Sequence, residues 1–172
     1  IRAFYYLLNK RLAGWSLAYL QGYKEFYGLK FLVTKETLIP RPESELLVDE
    51  ALNHLKKIKA PNIIDLGTGT GCLILSIAKN YVGEANFLAT DFSSLALKVA
   101  QTNARKLDLK NKVKFLKSNL LKNVSPQKFD LVIANLPYLT YRELKEPSIK
   151  KEPRSALLGG REGLDYYQKL FL

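Results

Sequence analysis

Through residues 1 to 21 apolar side chains recur at three- and four-residue steps, at Leu7, Leu8, Leu12, Trp15, Ala18 and Tyr19, the spacing of one stripe on a helix. Gly22 ends that pattern. From Tyr23 to Thr34 the apolar positions become aromatic and β-branched, with Phe26, Tyr27, Phe31 and Val33 around Gly28-Leu29-Lys30, which predicts a short β-hairpin. Pro40 and Pro42 bracket Arg41 and forbid continuous helix there. Glu43 and Glu45 then stand in the first turn of an amphipathic helix, where carboxylates suit the helix dipole, and Leu47, Ala51, Leu55 and Ile58 form its apolar stripe.

Beyond Pro61 the period changes. Ile63 to Leu66 is a short buried-strand run that ends in a glycine-rich turn, and Leu73 to Lys79 reads as helix. Ala85 to Thr90 is a second strand closed by Asp91, followed by a helix from Ser93 to Leu107 with Ala96, Val99, Ala100, Asn103 and Leu107 on one face. Lys112 to Leu116 is a third strand, and Phe129 to Ala134 is a fourth, with Leu131, Val132 and Ile133 consecutive. Nearly continuous apolar strands alternating with helices predict an α/β fold, a doubly wound, mostly parallel sheet of the Rossmann-like kind. There is no internal repeat and no low-complexity linker.

The chain has 172 residues, 47% hydrophobic and 25% charged, the balance of one globular domain with a small appendage; disorder and fibrous repeats are excluded. No run approaches the roughly eighteen apolar residues of a membrane span. The first stretch carries Arg2, Lys10 and Arg11 without a signal-peptide pattern. A cytoplasmic monomer with no membrane partner is expected. The single Cys72 cannot form an internal bridge, and no Cys/His cluster has metal-ligand spacing, so no metal is expected. The net charge of +11 favours an anionic partner, yet 20 of the 27 cations are Lys and only 7 are Arg, the residue that usually carries base and phosphate recognition. Nucleic acid is therefore a possible but not the primary partner.

Gly67, Thr68, Gly69, Thr70 and Gly71 follow a strand and precede a helix, the context in which a glycine run signals a cofactor. Glycine has no Cβ and accepts positive φ, so the main chain can wrap closely around a ligand. The Gly-x-Gly-x-Gly spacing is not that of dinucleotide sites, and no Lys-Ser/Thr pair follows as in a P-loop, which disfavours phosphate. Asp65, an acid at the end of a buried strand, is costly unless it meets a donor or a cation, and a ligand ammonium would satisfy it. Asp91 ends the second strand, where an acid can accept both hydroxyls of a ribose; its other reading is the N-cap of the helix at Ser93. An adenosyl ligand with an amino-acid tail and no phosphates fits this set, and S-adenosylmethionine is such a molecule. Cys72 reads as a small packing residue, and His54, flanked by Leu52 and Leu55, as a surface or boundary residue.

At the end of the fourth strand stands Asn135-Leu136-Pro137-Tyr138, in the region where doubly wound folds bind ligands. An Asn amide offers an acceptor and a donor to a planar nitrogen substrate, Pro137 stiffens the turn and Tyr138 supplies a flat wall. Taken alone, Asn-x-Pro is also simply a good turn former.

With Asp65 to Gly71 and Asp91, these positions resemble class I S-adenosylmethionine-dependent methyltransferases of the Asn-Pro-Pro-Tyr group. Tyr19-Leu20-Gln21-Gly22, Leu38-Ile39-Pro40-Arg41-Pro42-Glu43-Ser44-Glu45, Glu152-Pro153-Arg154-Ser155-Ala156-Leu157 and Gly159-Gly160-Arg161-Glu162-Gly163-Leu164 narrow the likeness. In that order they resemble the peptide chain release factor glutamine methyltransferase family. The resemblance implies methyl transfer to the side-chain amide nitrogen of the glutamine in the Gly-Gly-Gln loop of release factors. It implies that Asp65 and Gly67 to Gly71 cradle the methionine part of the cofactor, Asp91 holds the ribose, and Asn119 with Leu120 borders the adenine. Asn135 to Tyr138 would receive the glutamine and form the catalytic turn, with Asn135 also touching the cofactor.

The same resemblance divides the chain into the end of a helical substrate-docking domain (1–22), a hairpin and linker (23–42) and the cofactor-binding catalytic domain (43–172). The sheet of that family has seven strands, so the last strands are expected beyond residue 172. Two positions depart from the family pattern. Asn119 stands where Asp is common, and Leu136 replaces the first proline of the tetrapeptide. Two rivals remain: an adenine-N6 methyltransferase acting on DNA or RNA, and a cofactor-binding protein without catalysis.

Overall fold

The computed structural model describes residues 1–171, and the buried run beyond Pro61 forms its centre. Two small strands precede that centre in the chain: β1 (Tyr23–Phe26) and β2 (Leu29–Leu32) form an antiparallel hairpin. Strand β3 (Asn62–Leu66) pairs in parallel with β4 (Asn86–Asp91) on one side and β6 (Leu131–Ala134) on the other, and β4 pairs in parallel with β5 (Val113–Lys117). The order is thus β5-β4-β3-β6. A strand with neighbours on both sides and helices on both faces has no wet surface, which is why Ile63, Ile64 and Leu66 are consecutive or nearly so and fully buried. The chain winds outward from β3 to β5, then returns to lay β6 on the far side of β3. That reversal opens a crevice at the carboxyl ends of β3 and β6.

Helices α4 (Cys72–Asn80) and α5 (Ser94–Lys106) follow β3 and β4. Six consecutive residues of α4, Leu73 to Ala78, are buried, whereas α5 buries only one face and begins at Ser93, whose side chain accepts from the Ala96 N–H at 3.2 Å. Asn103 on α5 is a buried polar junction. Its Oδ1 accepts from the Leu32 N–H at 2.7 Å, and its Nδ2 donates to the Leu32 carbonyl at 3.1 Å and to the Thr70 carbonyl at 2.9 Å. It fastens β2 to the glycine-rich turn.

The hairpin turn lies at Tyr27-Gly28, one residue earlier than the Gly28-Leu29-Lys30 centre of the sequence pattern. Tyr27 is held with φ +50° by α3 (Glu45–Leu55): its N–H donates to Glu45 at 2.8 Å and its hydroxyl to Asp49 at 2.6 Å. Residues 42–44 form a 3₁₀ turn before α3, whose buried residues are Val48 and the expected Ala51 and Leu55. Leu47, expected in the stripe, is 41% exposed, and Ile58 lies beyond the helix end.

The single helix expected over residues 1 to 21 is two, α1 (Arg2–Leu12) and α2 (Leu17–Gln21). The apolar period runs through the break, but Ser16 accepts from the Tyr19 N–H at 3.2 Å and starts a new helix, so capping chemistry overrides the period. Helix α2 is tied onward by Tyr19, whose hydroxyl donates to the Thr37 carbonyl at 2.6 Å. The last element is α6 (Asp165–Phe171), which sets Tyr166, Tyr167 and Leu170 against the buried cluster of Ile64, Leu66 and Leu136.

Candidate active site

Gly67, Gly69 and Gly71 all adopt the left-handed region, with φ of +71°, +56° and +81°. The turn is held from both ends: the Thr68 N–H donates to the Thr90 carbonyl and the Gly71 N–H to the Thr68 carbonyl, each at 2.8 Å. Asp91 joins it to β4. One of its oxygens accepts from the Gly69 N–H and the other from the Ser93 N–H, both at 2.9 Å. Ser93, not Asp91, caps α5, so the N-cap alternative for Asp91 does not describe its geometry. Each Asp91 oxygen uses one backbone donor and keeps a further lone pair for a hydroxyl.

Asp65 is buried and accepts from the Thr68 hydroxyl at 2.6 Å. Burial pushes its carboxyl up to about 7, opposed by the Thr68 hydrogen bond and reinforced by the charge of Asp91. Burial also raises Asp91, against the pull of the Ser93 and Gly69 N–H groups. The cleft around these groups holds about 950 Å³ counted out to its open mouth. Among the described residues its lining has three carboxyl side chains, Glu36, Asp65 and Asp91, and one cation, Arg41, which is already paired with Glu152. The Gly69 N–H that a phosphate would need is taken by Asp91. The donor set thus suits a ligand with hydroxyls and positive charge, and repels a phosphate.

The second wall is the turn after β6. Asn135 Nδ2 donates to Ser44 Oγ at 3.2 Å. The Leu136 side chain is buried in the cluster with Ile64 and Leu66, and the Tyr167 hydroxyl lies at 3.5 Å from the Leu136 carbonyl. Residues 157–163 wrap this turn: the Leu139 N–H donates to the Leu157 carbonyl at 2.8 Å and the Gly159 N–H to the Leu139 carbonyl at 2.9 Å. A Cβ on Gly159 would lie 2.5 Å from the Pro137 oxygen, and one on Gly163 would lie 2.2 Å from the Tyr138 oxygen. Only glycine permits that approach. A second cavity shares Leu38, Arg41, Ser44, Asn135, Leu136 and Ala156 with the first, and adds Tyr138, Leu139 and Ile149.

Of the residues singled out from sequence, Asp65, Gly67, Thr68, Gly69, Thr70, Asp91, Asn119, Leu120, Asn135, Leu136 and Pro137 line the first cleft. Gly71 does not; it packs beneath α4, where a Cβ would meet Leu75 at 2.9 Å and Ala100 at 3.3 Å. Tyr138 is 57% exposed and borders the second cavity instead. Leu120 has φ +52°, a strained setting for a branched side chain, at the cleft edge. Sequence reasoning missed Ser44, Phe92, Ser118 and Tyr166 in the lining. Phe92 was findable as the aromatic next to Asp91; Ser44 and Tyr166 are brought in by tertiary folding alone.

The Cys72 thiol is pushed up to about 12 by burial, which suits a packing residue and not a nucleophile. His54 is exposed, with Nε2 at 3.3 Å from the Asp130 carbonyl, and is not in the cleft lining. No helix among the described residues is long and apolar enough to cross a membrane.

The methyltransferase small domain family model matches residues 43–151, which carry the sheet, the glycine turn and the Asn135 turn. The chain is 41% identical over 169 residues to a release factor glutamine methyltransferase of Moorella thermoacetica, covering 97% of this chain and 59% of that protein. A protein of the same name from Borreliella burgdorferi is 39% identical over 171 residues, covering 98% of this chain and 59% of its own length. The chain therefore spans about three fifths of these curated relatives. Among solved structures, the hMettl16 catalytic domain in complex with a 3′UTR hairpin superposes with a TM-score of 0.60 at 20% identity, over 84% of this chain and 56% of that one. That likeness concerns the fold.

Proposed function

The chain belongs to the methyltransferase small domain family, and from that premise we propose that it methylates the side-chain amide nitrogen of the glutamine in the Gly-Gly-Gln loop of peptide chain release factors, using S-adenosylmethionine. The observation that carries this reading is the meeting of two walls at one crevice: the glycine turn with Asp65 and Asp91 on β3 and β4, and Asn135 with the Leu136 carbonyl after β6. The names and similarity of the relatives support the substrate class.

In this reading Gly67, Thr68, Gly69 and Thr70 hold the amino-acid part of the cofactor beside Asp65. Gly71 supports the turn from below, Asp91 takes the ribose hydroxyls, and Asn119 and Leu120 border the adenine. Asn119 keeps one acceptor oxygen for the adenine amine, where Asp would have two. When bound, S-adenosylmethionine would supply an activated methyl on a sulfonium sulfur, a good leaving group.

The protein's own task is to make a poor nucleophile reactive. An amide nitrogen shares its lone pair with its carbonyl; Asn135 Oδ1 and the Leu136 carbonyl accept from its two hydrogens and hold it in line with the methyl. As the nitrogen–carbon bond forms, the nitrogen becomes strongly acidic and gives up one proton, to those oxygens or to water. No histidine base is needed. Leu136 retains the carbonyl that the resembling family supplies from proline, and Pro137 keeps it near extended geometry. Tyr138 walls the acceptor side. Residues 1–22 belong to a substrate-docking domain, 23–42 to a hairpin and linker, and 43–172 to the catalytic domain of a cytoplasmic monomer.

The +11 charge favours one rival, an adenine-N6 methyltransferase on nucleic acid. Incubating the whole protein with labelled cofactor and a release factor, its Gln-substituted variant or RNA separates the two. Label on the release-factor glutamine supports the proposal, and label on RNA, or no transfer with intact cofactor binding, overturns it.

A further inference from the structure

We propose that Ser44 is a positioning residue that holds the side-chain amide of Asn135 in place at the cleft. This rests on the methyl-transfer reading of the Asn135 turn. Ser44 ends the 3₁₀ turn that starts with Pro42, and its N–H donates to the Arg41 carbonyl at 3.0 Å, so its backbone is anchored independently of the sheet. It joins that turn to α3 with helical angles of its own, φ −74° and ψ −9°, so its side chain does not cap the helix. The hydroxyl is turned across the cleft instead and accepts from Asn135 Nδ2 at 3.2 Å.

The last torsion of an asparagine is broad, so an Asn135 amide without a partner would swing in the cleft. The bond to Ser44 confines it, and in the setting observed, with Nδ2 on Ser44, Oδ1 is left to accept. Both residues line both cavities, so the bond stands where the cofactor side and the acceptor side join. No other side chain among the described residues bonds the Asn135 amide.

The test compares the whole protein with Ser44→Ala and Ser44→Thr, alone and in an Asn135→Ala background, with a release factor as acceptor. Ser44→Ala is expected to lower kcat about 10-fold while the cofactor Kd stays within twofold, since misplacing one reacting-site group costs rate rather than cofactor affinity. Ser44→Thr, which keeps the hydroxyl, is expected to restore most of the rate. In the Asn135→Ala background the Ser44→Ala effect should vanish, because the partner is gone. An unchanged kcat in Ser44→Ala, or the same fold-loss in both backgrounds, overturns the proposal. Amide exchange of the Asn135 side chain by NMR separates this from failure of the acceptor reading. If the wild-type protein labels no release factor, the acceptor reading falls, while exchange that speeds up in Ser44→Ala and not in Ser44→Thr still supports the hold of Ser44 on Asn135. Exchange unaffected by Ser44→Ala overturns it.

Discussion

Replacing Asp65 by Asn should make the protein more stable at neutral and alkaline pH and abolish a proton release on cofactor binding. Burial lifts the Asp65 carboxyl from 3.8 to about 7. Because the native state holds this proton more tightly than the unfolded chain, its stabilising effect is complete below about 4 and is lost as pH rises through about 7. A shift of that size corresponds to roughly 4 kcal/mol as an upper bound for keeping the group ionised in the fold at pH 8. Asn keeps an oxygen for the Thr68 hydroxyl, so Asp65→Asn should recover about 1–3 kcal/mol in urea denaturation at pH 8, with the gain shrinking toward pH 5. A cationic cofactor reverses the preference and favours the carboxylate. Wild-type binding should therefore strengthen with pH up to about 7, by at most about tenfold per unit. Calorimetry in buffers of different ionisation enthalpy should detect the released proton. A wild-type to Asp65→Asn stability difference that does not vary between pH 5 and pH 8 would refute the reasoning, as would binding in which Asp65→Asn releases as much proton as wild type.

Other perturbations test the frame around the cleft. Leu136→Pro should raise turnover, since proline restricts the turn further, while removing packing against Ile64 and Leu66 costs about 2 kcal/mol in denaturation; equal or lower turnover contradicts this. Glu152→Ala removes the partner of Arg41 and the acceptor of the Ile39 N–H, and should cost about 2–3 kcal/mol, read by urea unfolding, with Arg41 released into the cleft. Asn103→Ala strips three hydrogen bonds between β2, α5 and the glycine turn, and should cost about 3 kcal/mol together with faster amide exchange at Leu32.

The sheet was legible because its strands leave a plain signal: Ile63 to Leu66, buried between neighbours and helices, and Leu131 to Ile133, although Val132 is exposed, carry almost no polar interruption. The glycine turn, Asp91 and the Asn135 turn were legible because their chemistry is local, a bare backbone or an acid at a strand end. The break in the first helix was not, since the apolar period continues across it while Gly14, with φ +86° and the Trp15 N–H on the Lys10 carbonyl, ends α1 and the Ser16 cap starts α2. On α3 the apolar spacing placed Ala51 and Leu55 on the buried face but chose Leu47 over its apolar neighbour Val48, and ran on to Ile58 past the helix end. Ser44 and Tyr166 enter the cleft from elements remote in sequence, and Gly71 leaves it to serve packing, so their roles depend on contacts that no window of sequence contains.

The proposed methyl transfer depends most directly on the Asn135 amide holding the acceptor nitrogen. The decisive measurement is the turnover of Asn135→Ala on a release factor, alongside its affinity for the cofactor. A fall in kcat of about a hundredfold or more, with cofactor Kd within about twofold of wild type, is the predicted result. Turnover equal to that of the wild-type protein would contradict it.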